Sequence, residues 1–216
     1  MSTRPNILFI FCDDLNDAIA GTGGHPQAQT PHLDRLMRRG VRFSNAATNA
    51  PICGPSRASF VSGIAPWTSG YHGYNFLRDP WWNNPVLGKS LTMMEHFGRH
   101  GYKVFGTGKI FHNYQEKNEV WKDGLGHIVD WGPWTWDGQK EGRGWQACAG
   151  HQSLPPHWGP KMMFASLADI PEIPADPETG APGHRGWRNG DNTPFRYVSE
   201  DDRDLMNDEL NARYAA

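Results

Sequence analysis

Cysteine is scarce in this chain, three among 216 residues, and an odd number makes no disulfide framework. Long apolar runs are missing as well. The most hydrophobic stretch, Ile7-Leu8-Phe9-Ile10-Phe11-Cys12, is too short for a membrane span or a signal-peptide core. It ends in two acids, Asp13 and Asp14, rather than in the small residues of a cleavage site. The chain therefore reads as cytoplasmic, or as periplasmic or secreted if an upstream signal is missing. Charge of one sign is not in excess either. A formal net charge of −2 supplies no basic field for nucleic acid or an anionic membrane. Apolar residues reach only 38%, whereas 25 Gly, 17 Pro and 10 Trp announce long irregular segments. The length suits one domain with a core and is short for two.

What is present is ordered from the N-terminus. Residues 6–12 form a continuous apolar run between Pro5 and Asp13, the pattern of a strand buried on both faces. Thr30-Pro31 offers a cap and a first-turn proline, Leu33, Leu36 and Met37 a helical stripe, and Gly40 a stop. Val41-Arg42-Phe43 begins a second strand. A helix is expected from Pro55 to Gly63, with Phe60 and Val61 as apolar contacts. Another is expected from Ser90 to His100, capped by Ser90, carrying Leu91, Met94 and Phe97 and ended by Gly101. Tyr102-Lys103-Val104-Phe105 reads as a third strand.

Strands alternating with helices predict an α/β fold, a mostly parallel sheet with helices on both faces. The sequence divides into an α/β core at 1–112, an irregular Trp/Pro/Gly-rich segment at 113–198 and the start of a helix at 199–216. Six of the ten tryptophans fall between Trp121 and Trp158, where they suit sugar stacking or, preferably, the core of a loop-rich subdomain. An irregular stretch of this length is unusual in a compact domain, so the chain reads as truncated and the fold as incomplete.

Three polar motifs stand out. Asp13-Asp14 ends the first apolar run, Cys53-Gly54-Pro55-Ser56-Arg57 opens the second helix, and Gly108-Lys109-Ile110-Phe111-His112 follows the third strand. The first and third lie just past the C-terminal ends of strands, the edge at which open α/β sheets bind ligands. Each alone has a plain reading: Asp-Asp as a polar loop, Lys109 and His112 as surface residues, Cys-x-Pro-x-Arg as chance. Their joint order on alternating strands and helices favours a common site with a nucleophile, acidic metal ligands and cationic anchors. Cys12 reads as a buried thiol, Cys148 receives no role, and His72 reads as a structural loop histidine rather than a pocket residue.

At these residues, together with Arg4-Pro5-Asn6 and Thr30-Pro31-His32-Leu33-Asp34, the chain resembles the N-terminal portion of a type I sulfatase of the alkaline phosphatase superfamily. The spacing Gly-Lys-x-x-His makes it most similar to the iduronate-2-sulfatase branch. The resemblance implies an alkaline-phosphatase-like sulfatase fold and a sulfuric ester hydrolase acting on sulfated carbohydrate or another sulfate ester. It implies that Cys53 is converted to formylglycine by a formylglycine-generating enzyme. Cys53 would then be nucleophile and metal ligand, Asp13 and Asp14 metal ligands for Ca²⁺ or else Mg²⁺, and Arg57, Lys109 and His112 the groups around formylglycine and sulfate. A second acidic metal-binding pair after a late strand is not found; Asp191-Asn192 is the near match and lacks the preceding strand. Two other readings stay open: a phosphodiesterase or phosphonate monoester hydrolase of the same superfamily, and a non-catalytic truncated fragment. The 216-residue chain alone is expected to be inactive.

Overall fold

The computed structural model describes residues 4–13, 15–16, 19–73, 81–112, 120–128, 132–134, 166–175, 177–178, 180, 182–189 and 193–216. Asp14, Cys148, Asp191, Asn192 and the tryptophans at 131, 136, 145 and 158 lie outside them.

The helices form where caps and glycines permit. Helix α1, Pro31–Arg39, starts at the first-turn proline and stops before Gly40. Thr30 does not cap it in the usual way. Its hydroxyl accepts from the Ala20 N–H at 3.0 Å and donates to Asp34 at 2.9 Å, tying a short 3₁₀ turn, Ala20–Thr22, to the helix. Helix α2, Cys53–Ser62, begins two residues before Pro55, and ends at Gly63. There φ of +71° lets the Gly63 N–H return to the Ser59 carbonyl at 2.8 Å. A single turn, α3, Pro66–Ser69, follows.

Helix α4, Met93–Arg99, corrects the expected start at Ser90. The cap is Thr92: Glu95 N–H donates to its hydroxyl at 3.1 Å, and Thr92 N–H donates to the Glu95 carboxylate at 2.7 Å. That reciprocal box outcompetes Ser90, whose hydroxyl instead donates to the Leu87 carbonyl at 2.6 Å in the preceding turn. Leu91 therefore stays outside the helix, half-exposed, while Met94 is buried.

The strands depart further from expectation. Among the described residues, 6–12 and 41–43 belong to no strand. Ile7 to Phe11 and both Val41 and Phe43 are exposed. From the third expected strand only β1, Phe105–Gly106, forms, and it pairs in parallel with β2, Gly124–Leu125. A strand exists only through its neighbours, so an apolar run without ladder partners cannot become one whatever its propensity. Segment 4–13 is nevertheless aligned. The Arg4 guanidinium donates to the His100 carbonyl and Lys109 meets Asp13, both across 96 positions of sequence, so 4–13 runs alongside 100–109 in the same direction. Phe9 and Phe11 rest on Phe60 of α2, with ring centroids 4.7 and 3.9 Å away.

The core gathers Ala58 and Val61 of α2, Met94 of α4, and Tyr71, Trp81, Leu87, Phe111, Val120 and Trp121. Trp81 stacks on Phe111 at 5.4 Å. Trp121 is thus a core residue, packed in the cluster with α2 and α4 rather than in the core of a separate loop-rich subdomain.

Beyond residue 166 short antiparallel pairs replace the expected irregular chain. They are β3, Glu172–Ile173, with β4, His184–Arg185; β5, Trp187–Arg188, with β6, Pro194–Phe195; and β7, Tyr197–Ser199, with β8, Asp202–Arg203. Helix α5, Asn207–Ala215, begins later than the expected Glu200 because residues 197–203 form a hairpin first. It docks on the β1–β2 pair. Thr107 donates to Asn211 at 2.8 Å, and His127 Nε2 lies 2.9 Å from Asn207. At Gly124, whose φ is +158°, a Cβ would stand 2.6 Å from the Tyr214 hydroxyl, so glycine permits this close approach. No described helix is long and apolar enough to cross a membrane.

Candidate active site

Cys53 is the first residue of α2, behind an extended Ile52 whose carbonyl accepts from the Ser56 N–H at 2.9 Å. First-turn amides favour negative charge beside such a residue. Two upstream side chains fix the turn: Thr48 Oγ1 lies 3.0 Å from Ser56 Oγ, and Asn49 Nδ2 donates to Ser59 Oγ at 2.9 Å. A cavity of 110 Å³ opens here, walled by Phe11, Cys12, Asp13, Cys53, Ser56, Arg57 and Phe60. Cys12 is exposed on that wall rather than buried, because segment 4–13 has no ladder to cover it. Neither Cys12 nor Cys53 is in a disulfide.

Arg57 lies one turn along the same helix and organises the floor. Its Nη2 donates to Asp13 Oδ1 at 3.2 Å, and its Nη1 donates to the carbonyls of Lys109 and, at 3.3 Å, Ile110. The Lys109 ammonium donates to the other oxygen of Asp13. One guanidinium therefore joins the end of segment 4–13 to the turn after β1. Phe111, buried in the core between Ile110 and His112, anchors that turn from below.

The electrostatics follow. Burial alone pushes the Asp13 carboxyl up, but hydrogen bonds and charge from Lys109 and Arg57 outweigh it and hold it below its ordinary value. His112 is pushed down, first by burial, then by the Lys109 and Arg57 cations, against a smaller opposing pull from Asp13. A neutral imidazole beside two cations and one carboxylate is the result. The three charged groups sum to one positive charge, suited to an anionic ligand.

Five of the six site residues expected from sequence are described, and Asp13, Cys53, Arg57, Lys109 and His112 come together. Asp14 lies outside the described residues. His72 is exposed and lines no part of this cavity. Ser56 and Cys12 join Asp13, Cys53 and Arg57 on the cavity wall, outside the residues expected from sequence. Ser56 was legible as the residue one turn from Cys53 on the same helix, and Cys12 as the neighbour of Asp13.

A divalent cation does not fit the described donors as they stand. Both oxygens of Asp13 are engaged by cations, and no group of three or more His, Cys, Asp or Glu able to hold a metal occurs among the described residues.

Sequence comparison gives the class: the chain belongs to the sulfatase family, whose sequence profile matches residues 5–149. Membership implies an alkaline-phosphatase-like α/β fold and hydrolysis of sulfate esters as the family chemistry, generally dependent on formylglycine and a divalent metal. The sheets among the described residues are two-stranded, one parallel and three antiparallel, and do not make up the full parallel sheet of such a fold. The chain is similar to a sulfatase of Formosa agariphila, 37% identical over 143 residues, 62% of this chain and 28% of that protein. An ulvan-active sulfatase of the same organism is 38% identical over 107 residues, 50% of this chain and 19% of that protein. The mouse iduronate 2-sulfatase is 34% identical over 107 residues, 50% of this chain and 18% of that protein. Identity spread so evenly does not single out the iduronate-2-sulfatase branch. The chain spans less than a third of the length of these relatives.

Proposed function

We propose that this chain carries the nucleophile half of a formylglycine-dependent sulfatase acting on sulfated carbohydrate. The observation that carries the reading is the convergence of Asp13, Arg57 and Lys109 beside Cys53 at the N-terminus of α2. Once Cys53 is an aldehyde, its hydrate presents two hydroxyls. One attacks sulfur, forming an O–S bond and giving up its proton as the S–O bond to the sugar breaks, and the sugar oxygen leaves with that electron pair and takes up a proton. The second hydroxyl then loses its proton to His112. Its oxygen re-forms the C=O bond while the C–O bond to sulfate breaks. Lys109 holds a sulfate oxygen as a point charge, and Arg57 fixes the turn that presents Lys109. A His112 kept neutral by burial and two cations is ready to accept that proton.

The Ca²⁺ expected at Asp13 and Asp14 lacks a complete donor set among the described residues. Within the family, Gly-Lys-x-x-His at Gly108–His112 supports an iduronate-2-sulfatase-like substrate preference, and the name of the ulvan-active relative fits a carbohydrate ester. The proposed activity belongs to a sulfatase domain of the relatives' full extent, and the 216 residues alone are proposed to be inactive.

The test is turnover of an aryl sulfate and an aryl phosphate diester by the full-extent enzyme made with a formylglycine-generating enzyme. Sulfate turnover abolished by Cys53→Ala is expected. Turnover indifferent to Cys53→Ala, or confined to the phosphate diester, overturns the reading.

A further inference from the structure

A second depression, 280 Å³ in volume, lies on α1 and shares no lining residue with the cavity at Cys53. Gly21, Asp34, Met37, Arg38 and Arg42 line it. Its wall is built by a close approach: a Cβ at Gly21 would stand 2.4 Å from Met37 Cε and 2.8 Å from Asp34 Oδ1, so the Ala20–Thr22 turn seats directly on the helix. Asp34 is spent on that seating. Its Oδ1 accepts from the Gly21 N–H at 3.0 Å and from the Thr30 hydroxyl at 2.9 Å. Arg42, beyond the helix end, folds back and donates from Nη1 to the Gly21 carbonyl at 3.3 Å, which holds its guanidinium at the rim.

The depression is cationic in a chain of net charge −2. Arg35, Arg38, Arg39 and Arg42 fall within eight positions, and among the described residues none forms an ion pair with a carboxylate. Two of them, Arg38 and Arg39, sit in the last turn of α1, where the helix dipole favours a cation. That accounts for their charge but not for Arg42, which lies outside the helix and is turned toward the same hollow. Two guanidiniums with donors to spare above a methionine floor suit an oxyanion, which the sulfated-carbohydrate reading makes a sulfate on a sugar ring.

We propose that Arg38 and Arg42 form an anchoring site for a sulfate group of a sulfated polysaccharide, separate from the cavity where its ester is cleaved. This rests on the sulfated-carbohydrate reading above. It makes the substrate a polymer that engages two depressions sharing no lining residue.

The probe is fluorescein-labelled dextran sulfate, titrated by anisotropy into Cys53→Ala protein, in which binding is free of turnover. The Arg38→Gln/Arg42→Gln pair is expected to weaken binding about tenfold or more, with unchanged circular dichroism. Removing two charges elsewhere, Arg185→Gln/Arg196→Gln, is expected to leave it within about twofold. Equal losses in both pairs, no loss at Arg38 and Arg42, or equally tight binding of polyglutamate would each overturn the site. Aryl sulfate turnover by the full-extent enzyme, made with a formylglycine-generating enzyme and carrying Cys53 with the Arg38/Arg42 substitutions, is expected to match its parent. Absence of that turnover in the parent would count against the sulfatase reading and leave the binding comparison intact.

Discussion

The Arg57 guanidinium stands 3.2 Å from the Asp13 carboxylate, joining residues 44 positions apart in sequence. The same guanidinium donates to the Lys109 and Ile110 carbonyls, so one side chain on α2 locks two loop ends together. Arg57→Ala leaves those partly buried carbonyls without this donor. A loss of about 1–3 kcal/mol in urea unfolding is expected. Lysine, with one compact ammonium, cannot span Asp13 and two carbonyls, so Arg57→Lys is expected to recover little. Full stability in Arg57→Lys would contradict the locking role.

His112 offers a pH test. Burial and the Lys109 and Arg57 cations lower its pKa from the ordinary 6.5, so the folded protein keeps it neutral to lower pH than the unfolded chain does. Below 6.5 the unfolded chain binds the proton first, and stability falls with pH until the folded pKa is passed. An NMR titration is expected to place the His112 midpoint below 6.5 and to move it upward in Lys109→Ala. A midpoint at or above 6.5 would contradict the arrangement.

Much of this site could be read from sequence because each member follows an element end with its own marker. Pro31 and Gly40 bracket α1, and Gly63 closes α2. Cys53 and Arg57 are one helical turn apart, so their shared face is fixed by local geometry. Non-local features were less legible. Ile7–Phe11 has the composition of a central strand, but strand formation depends on partners elsewhere, and this run remains exposed. The late hairpins were illegible because two- and three-residue pairings carry no periodicity. They are held by specific contacts, such as Arg196 with Asp202 at 2.7 Å and the Arg196 N–H donating to Asp204 at 2.8 Å. Thr92 displaced Ser90 through a glutamate three residues on, a signal present in the sequence.

That box is directly testable. Thr92 is fully buried, and Thr92→Ala removes the acceptor for the Glu95 N–H. A cost of about 0.5–2 kcal/mol is expected in chemical denaturation. Thr92→Ser should recover most of it, whereas Ser90→Ala should leave the α4 cap intact.

Glu209 supplies an acid-side test. Hydrogen bonds from Arg203, at 2.7 and 3.0 Å, and from the Met206 N–H hold its carboxyl down from 4.5 to about 2. A depressed carboxyl stabilises the folded state above its unfolded pKa, and that contribution fades as pH falls from 4.5 toward 2. Across that interval the unfolding midpoint should drop more in the parent than in Glu209→Gln. Parallel pH dependence in the two proteins would show that the pair does not stabilise the start of α5.

The central claim is that Cys53 is the precursor of the nucleophile. The most direct measurement is the mass of the peptide containing Cys53 after co-expression with a formylglycine-generating enzyme. The expected result is an aldehyde, trapped as its hydrazone, at Cys53 and absent from Cys53→Ala. An unmodified thiol, from a maturation enzyme that converts a control sulfatase in the same cells, would contradict the account.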